Sequence, residues 1–330
     1  MQKIILHLFM VLHGINSEDI SVIVQGAVEK ETERCLKSVR KNLPDAEIVL
    51  STWKDCNMSN LDFDKLVQSD DPGNLGWHFY GGNNIVPVNY NRQLVSTKSG
   101  IEQASRKFVL KLRSDFFLEN TDFLSFYEKY SERDSKLSFF KNKVLIPSVY
   151  TRMFFSGSAY PCPFCFSDFL FFGLKEDIFD HFNSNQLQKD EMCNWNFKYP
   201  DRKPDRLEMG RYMPEQFLAI NWAKRHGLEF EFYDCSDWSF DILELSNKVL
   251  FNNFIVFDAS KHGIKTNKHN LKELEHQFGL VNEQVFNEEY EKVFIEKQSS
   301  FEMNRLIQYW KPKKKNFIKK LIRKIARSCL

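Results

Sequence analysis

Short apolar runs set the rhythm of the first half of the chain, and each stops at polar or small residues. The run at 20–24, Ile-Ser-Val-Ile-Val, is followed by Gln25-Gly26, and that at 47–50 by Ser51-Thr52-Trp53. A third strand is predicted within 107–115; it runs out of apolar residues and delivers Arg113, Ser114 and Asp115 at its carboxyl end. Between the first two, Cys35, Leu36 and Val39 share one face of a helix predicted over 31–42 and closed by Pro44-Asp45. A helical crossover between apolar strands implies parallel, right-handed pairing. The strand ends then line one edge of a sheet, where an open α/β fold collects its ligand.

Residues 54–90 are rich in Asp, Asn, Gly and Ser and read as irregular, with a turn at Asp70-Asp71-Pro72-Gly73. A loop of that length inside a domain is more often functional than decorative. Helical spacing resumes at Asn91, with Leu94, Ile101, Ala104 and Phe108 on one face. Further strands are predicted at 144–149, at 169–172 (ended by Gly173), at 228–233 and at 254–257. Helices are expected near Glu176 and from Pro214-Glu215-Gln216 to Gly227, a well-marked start and stop. The polar, Pro-broken stretch 183–210 reads as a loop or small subdomain.

At 330 residues, 42% hydrophobic and 27% charged, the composition is that of a soluble globular protein. Most of its 32 Phe are read as core packing. The seven cysteines are scattered, and Cys162 and Cys165 form a CxxC without a second pair at zinc-site spacing. Reduced thiols in a cytoplasmic protein are the simpler reading than zinc. The apolar run at 4–12 is too short to span a bilayer and carries no evident signal-peptide cleavage site. The carboxyl end alters the charge picture. Residues 311–330 hold nine Lys or Arg and no acid, so the net charge of +2 becomes −7 without them. Phe317, Ile318, Leu321, Ile322 and Ile325 follow helical spacing within that tail, which reads as a basic amphipathic helix for an anionic membrane surface. Nucleic acid is the rival partner, but nothing in the body resembles a nucleic-acid module.

Asp115 is the first candidate for chemistry. Enzymes that transfer sugars from nucleotides often hold Mg²⁺ or Mn²⁺ between a diphosphate and a strand-end carboxylate. Such sites commonly read Asp-x-Asp; here the first position is Arg113, a cation that could pair with phosphate. The bland reading is an Arg–Asp pair capping the strand. Gly26 permits close approach of a nucleotide, and Trp53 would either stack on a base or pack under the sheet. Asp71 would accept bonds from a ribose or simply start a turn. Arg92 stands at a helix entrance, where anions are favoured. Glu215, in the first turn of a helix, and Asp168, before an apolar strand, are rival general bases. His262 follows the last apolar strand and is a candidate for the metal or diphosphate.

These pieces together resemble the WavE lipopolysaccharide-synthesis family. The resemblance rests on Ile20-Ser-Val-Ile-Val-Gln-Gly, Cys35-Leu-Lys-Ser-Val-Arg, Pro44-Asp-Ala-Glu-Ile-Val-Leu-Ser-Thr-Trp, Asp71-Pro-Gly, Asn89-Tyr-Asn-Arg-Gln-Leu, Leu110-Lys-Leu-Arg-Ser-Asp, Phe166-Ser-Asp-Phe and Pro214-Glu-Gln, over about residues 20–230. It implies a GT-A-like nucleotide-diphosphosugar transferase fold, a Rossmann-like, mostly parallel sheet flanked by helices. Residues 1–19 would be an extension, 20–120 the nucleotide-sugar-binding half, 121–310 the acceptor half and 311–330 the membrane-surface tail. The expected activity is glycosyl transfer from a nucleotide sugar to a lipid-linked oligosaccharide or lipopolysaccharide core, at the inner face of the cytoplasmic membrane. Gln25, Gly26, Thr52, Trp53 and Asp71 would frame the nucleoside, Arg92 and Arg113 the diphosphate, and Asp115 with His262 the metal. The alternatives are a sugar-1-phosphate nucleotidyltransferase, for which Gln25-Gly26-Ala27-Val28 lacks the expected phosphate loop, and a non-catalytic assembly protein.

Overall fold

A computed structural model describes residues 14–54, 56–79, 85–155, 161–193, 211–233 and 238–295. The apolar run at 4–12 and the basic tail at 311–330 lie outside the described residues. The first unit is β1 (Ile20–Gln25), α1 (Thr32–Asn42) and β2 (Glu47–Trp53), followed by β3 (Lys65–Ser69) and the hairpin β4 (Trp77–Phe79) and β5 (Ile85–Pro87). Next come α2 (Tyr90–Gln103), β6 (Phe108–Arg113), β7 (Phe116–Leu118), β8 (Val144–Pro147), β9 (Arg152–Phe154), β10 (Pro161–Cys165) and β11 (Leu170–Leu174). The remaining elements are α3 (Lys175–Phe182), α4 (Lys189–Cys193), α5 (Pro214–Arg225), α6 (Phe240–Asn253), β12 (Phe254–Phe257), β13 (Ile264–Thr266), α7 (Leu271–Leu274) and α8 (Glu283–Tyr290).

Seven strands form one sheet in the order β12-β8-β11-β6-β1-β2-β3. All neighbours are parallel except around β11, which runs against both β6 and β8. This is the mostly parallel, helix-flanked α/β sheet that the strand–helix alternation implies. Every residue of β1 is buried, because helices cover both faces, and that is why its sequence reads as a continuous apolar run. Ile23 faces α2, and the alternate residues Val22 and Val24 take the face on which α1 packs. α2 lies so close that a Cβ on Gly100 would stand 2.4 Å from Ile23 Cγ2 and 3.0 Å from Ser51 Cβ.

The structure departs from the sequence expectations at several elements. β3 lies inside the stretch read as irregular; it is an edge strand whose residues alternate between half-buried and exposed. Gly173 does not end β11 but lies within it, where a Cβ would be 3.1 Å from Val144 Cγ2 of the neighbouring β8. The run at 228–233 has the composition of a strand but joins no ladder. Side chains satisfy its carbonyls instead: Tyr212 Oη donates to Phe232 O at 2.8 Å and Arg211 Nε to Tyr233 O at 2.8 Å. Its Phe230 ring stacks on Phe164 at 4.8 Å.

Lys111 is fully buried in the middle of β6, level with Ile23 on the face covered by α2 and α3. Its ammonium lies 5.7 Å from the Phe182 ring centroid and donates to the Asp168 carbonyl. Burial, opposed in part by the charge of Asp168, lowers its pKa from 10.5 to about 7.

Two outcomes follow from this packing. Gly100→Ala forces α2 away from β1 and β2, and overpacking of this kind costs about 1–3 kcal/mol, readable as a lowered midpoint in urea unfolding. For Lys111, the unfolded chain keeps its proton up to pH 10.5 while the folded chain releases it near 7, so this group makes stability rise with pH across that window. Lys111→Met should flatten part of that rise when unfolding is measured at neutral and alkaline pH; an unaltered slope would contradict the assignment.

Candidate active site

In the sheet order, chain progression reverses between β1 and β6, so their carboxyl ends leave a crevice with no crossover above it. A cleft of about 990 Å³ opens there. Its floor is stitched together by the loops after the two strands: Ser114 N donates to Gln25 O at 3.0 Å and Ser114 Oγ to Ala27 O at 2.7 Å. Gly26 has φ +117°, and a Cβ there would stand 3.2 Å from Ser114 Oγ, so glycine meets both a backbone and a space requirement. The Gln25 side chain is fixed by Ser96 Oγ, which donates to its Oε1 at 2.6 Å.

Asp115 sits at the centre of a charged chain. Arg113 grips it with a two-bond fork, Nε to Oδ1 at 2.9 Å and Nη2 to Oδ2 at 2.7 Å. Lys268 Nζ lies 3.1 Å from Oδ2 and 2.6 Å from Glu29. The Asp115 side chain is only 4% exposed. Burial alone would raise its pKa; the hydrogen bond and charge of Arg113, then Lys268, hold it at about 2. The Arg113 guanidinium also stands over the Phe169 ring, 4.8 Å from its centroid. The short ladder of β13 with β7 brings Lys268 and His269 into the cleft from far along the chain. The His269 ring stacks on Phe169 at 5.8 Å, and burial followed by the Arg113 charge lowers its pKa.

Along one wall, Arg92 and Asp71 are paired with each other by a fork of 2.7 Å bonds, and Arg92 Nη1 reaches Asn89 Oδ1 at 3.0 Å. That pairing lowers the Asp71 pKa. Trp53 also lines the cleft. Asp168 and Glu215 line the cleft together with Tyr150 and Arg152. Burial, and next the negative charge of Asp168, raises the Glu215 carboxyl well above the usual range, with the Arg152 charge opposing. Arg152 is carried in by pairing of β9 with β10, and its guanidinium lies 4.8 Å from the Tyr150 ring centroid. Among the described residues it has no acidic side chain as a salt-bridge partner.

Of the residues singled out by sequence, Gln25, Gly26, Trp53, Asp71, Arg92, Arg113, Asp115, Asp168 and Glu215 share this one cleft. Two do not. Thr52 is fully buried, with its hydroxyl directed at Cys56 Sγ at 3.8 Å, so it packs beneath the site instead of framing a nucleoside. His262 is committed elsewhere: Nε2 meets Glu283 Oε2 at 2.9 Å and the ring lies edge-on to Phe126 at 4.7 Å, which corrects its expected place beside Asp115. Sequence reasoning missed Glu29, Arg152, Lys268 and His269. Their only local signal is charge, and the approach of Arg152, Lys268 and His269 depends on two short antiparallel ladders.

The donor set fits a divalent cation poorly. Arg113 and Lys268 already place three N–H contacts on Asp115, and among the described residues no group of three His, Cys, Asp or Glu is arranged to hold a metal.

Comparison with known proteins gives the class and then the family. Fold and cleft define an α/β protein with a charged site at the carboxyl ends of its parallel strands. The chain belongs to the WavE lipopolysaccharide synthesis family, which matches residues 20–326, well beyond the 20–230 read from motifs. Among curated proteins none matches. A crystal structure of an active-site mutant of LgtC is similar over 61% of this chain and 69% of that one, at 11% identity and a TM-score of 0.31, a likeness too slight to carry an argument. Among the described residues no helix is long and apolar enough to cross a membrane.

Proposed function

We propose that this protein is a glycosyltransferase that moves a sugar from a nucleotide-diphosphosugar to a lipopolysaccharide or other surface-glycan acceptor. One convergence carries the reading: Asp168 and Glu215 stand in the same cleft as Arg113, Arg152 and Lys268. A diphosphate donor calls for the cations, and an acceptor hydroxyl calls for a base. Membership of a lipopolysaccharide synthesis family supports the acceptor class.

In this reading Gln25, Gly26, Trp53 and the Asp71–Arg92 pair frame the nucleoside end. Asp168 is the base, because Glu215 keeps its proton and serves as a hydrogen-bond donor beside it. The acceptor oxygen bonds to the anomeric carbon as the bond from that carbon to the diphosphate oxygen breaks. The hydroxyl proton passes to Asp168, and the electron pair leaves with the diphosphate. The tail at 311–330 holds the enzyme at the inner face of the cytoplasmic membrane, beside a lipid-linked oligosaccharide or lipopolysaccharide core.

Turnover of a sugar-nucleotide panel, with an extracted lipid-linked acceptor, tests the proposal. Asp168→Asn should lower transfer by about 10²–10⁴-fold, the usual worth of a positioned base, with Glu215→Gln affected less. In the parent the rate should fall as pH rises through the elevated Glu215 pKa, and that alkaline limb should vanish in Glu215→Gln. No turnover of any donor would defeat the enzyme reading. Deleting 311–330 should release the protein from anionic liposomes while soluble-donor hydrolysis persists; undiminished liposome binding would refute the anchor.

A further inference from the structure

We infer that the departing nucleoside diphosphate is neutralised by fixed cations of the chain, Arg113, Arg152 and Lys268, so that transfer requires no divalent metal. This rests on the glycosyltransferase reading above and specifies how its leaving group is handled.

The donor chemistry of the cleft carries the argument. A hard cation needs free oxygen donors. The carboxylate best placed to supply them, Asp115, is taken up by the Arg113 fork and by Lys268. A dication seated on Asp115 would have to displace those contacts and then lie against two positive side chains. The neighbouring position that could have held a second acid is Arg113 itself. The other acids of the cleft are committed or distant in role: Asp71 to Arg92, Glu29 to Lys268, and Glu215 beside Asp168. His269 adds one imidazole, stacked on Phe169.

The same arrangement suits an anion. Arg152 presents a guanidinium to the cleft with its face toward Tyr150 and without an acidic partner among the described residues. A planar fork of this kind matches two phosphate oxygens at once. Arg113 and Lys268 are held in place by Asp115, which acts here as a positioning residue, and both can share their N–H groups with a phosphate. Charge that builds on the diphosphate as the glycosidic bond breaks then meets preorganised cations.

Isothermal titration of the full chain with UDP, GDP, ADP and CDP, each in EDTA and in Mn²⁺, tests this, followed by hydrolysis of the matching sugar nucleotide in both buffers. Affinity and hydrolysis should agree within about twofold between EDTA and Mn²⁺, whereas Arg152→Ala should weaken binding about tenfold or more, about 1.4 kcal/mol. Asp115→Asn, which removes the charge that holds Arg113 and Lys268 in place, should weaken binding to the same extent in EDTA and in Mn²⁺. Binding or hydrolysis that disappears in EDTA, returns with Mn²⁺, and does not return in Asp115→Asn overturns the clamp and leaves the transferase reading intact. Parent-like binding by Arg152→Ala, checked by an unchanged melting curve, also overturns it. No binding and no hydrolysis in either buffer overturns the clamp and the transferase reading together.

Discussion

The parallel pairing of β1 with β6, in a register that sets Gln25 opposite Arg113, fixes the geometry of the whole cleft. Because the chain leaves these two strands in opposite directions across the sheet, no crossover covers their ends. The Ser114 bonds to Gln25 and Ala27 then lock the two loops together, and Gly26 allows that approach. Behind them, Gly100 lets α2 lie against β1 and β2, so Ser96 can reach the Gln25 side chain. The cleft is thus an outcome of sheet register, with few degrees of freedom left for its residues.

Charge is arranged as an alternating chain: Glu29, Lys268, Asp115 and Arg113 follow one another in contact. Asp115 is flanked by Arg113 and Lys268, which favour its ionised form against the penalty of burial. Two further acids of the cleft are treated differently. Glu215 and Asp168 line the cleft together, and burial, then the charge of Asp168, raises the Glu215 pKa. A single cleft therefore holds one group of compensated charges and one pair of neighbouring carboxyls.

Much of this was legible in sequence where burial on both faces writes a continuous apolar run. β1, β2, β6 and β12 announce themselves in that way, as does α5 with its Pro214 start and its turn at Gly227, φ +82°. An edge strand such as β3 has a partner on one side only and alternates half-buried with exposed residues, so its pattern is faint. The segment 228–233 shows the converse. Alternating Phe and Glu mimic a strand, yet Arg211 and Tyr212 take the carbonyls that a ladder would have used. Gln25, Trp53 and Arg113 sit at strand ends and could be found one at a time. Lys268, His269 and Arg152 enter through tertiary pairing of β13 with β7 and of β9 with β10, which no local pattern encodes. Thr52 and His262 failed for the same reason in reverse, since local position did not reveal which way each side chain turns.

Lys111 gives the interior an unusual responsibility. Its amine rises from the sheet core to the backbone of the very loop that carries Asp168. Sheet core and cleft loop therefore hang from a single tether. Repacking around Phe171 and Phe182 would shift the Lys111 amine and, through it, the loop that carries Asp168.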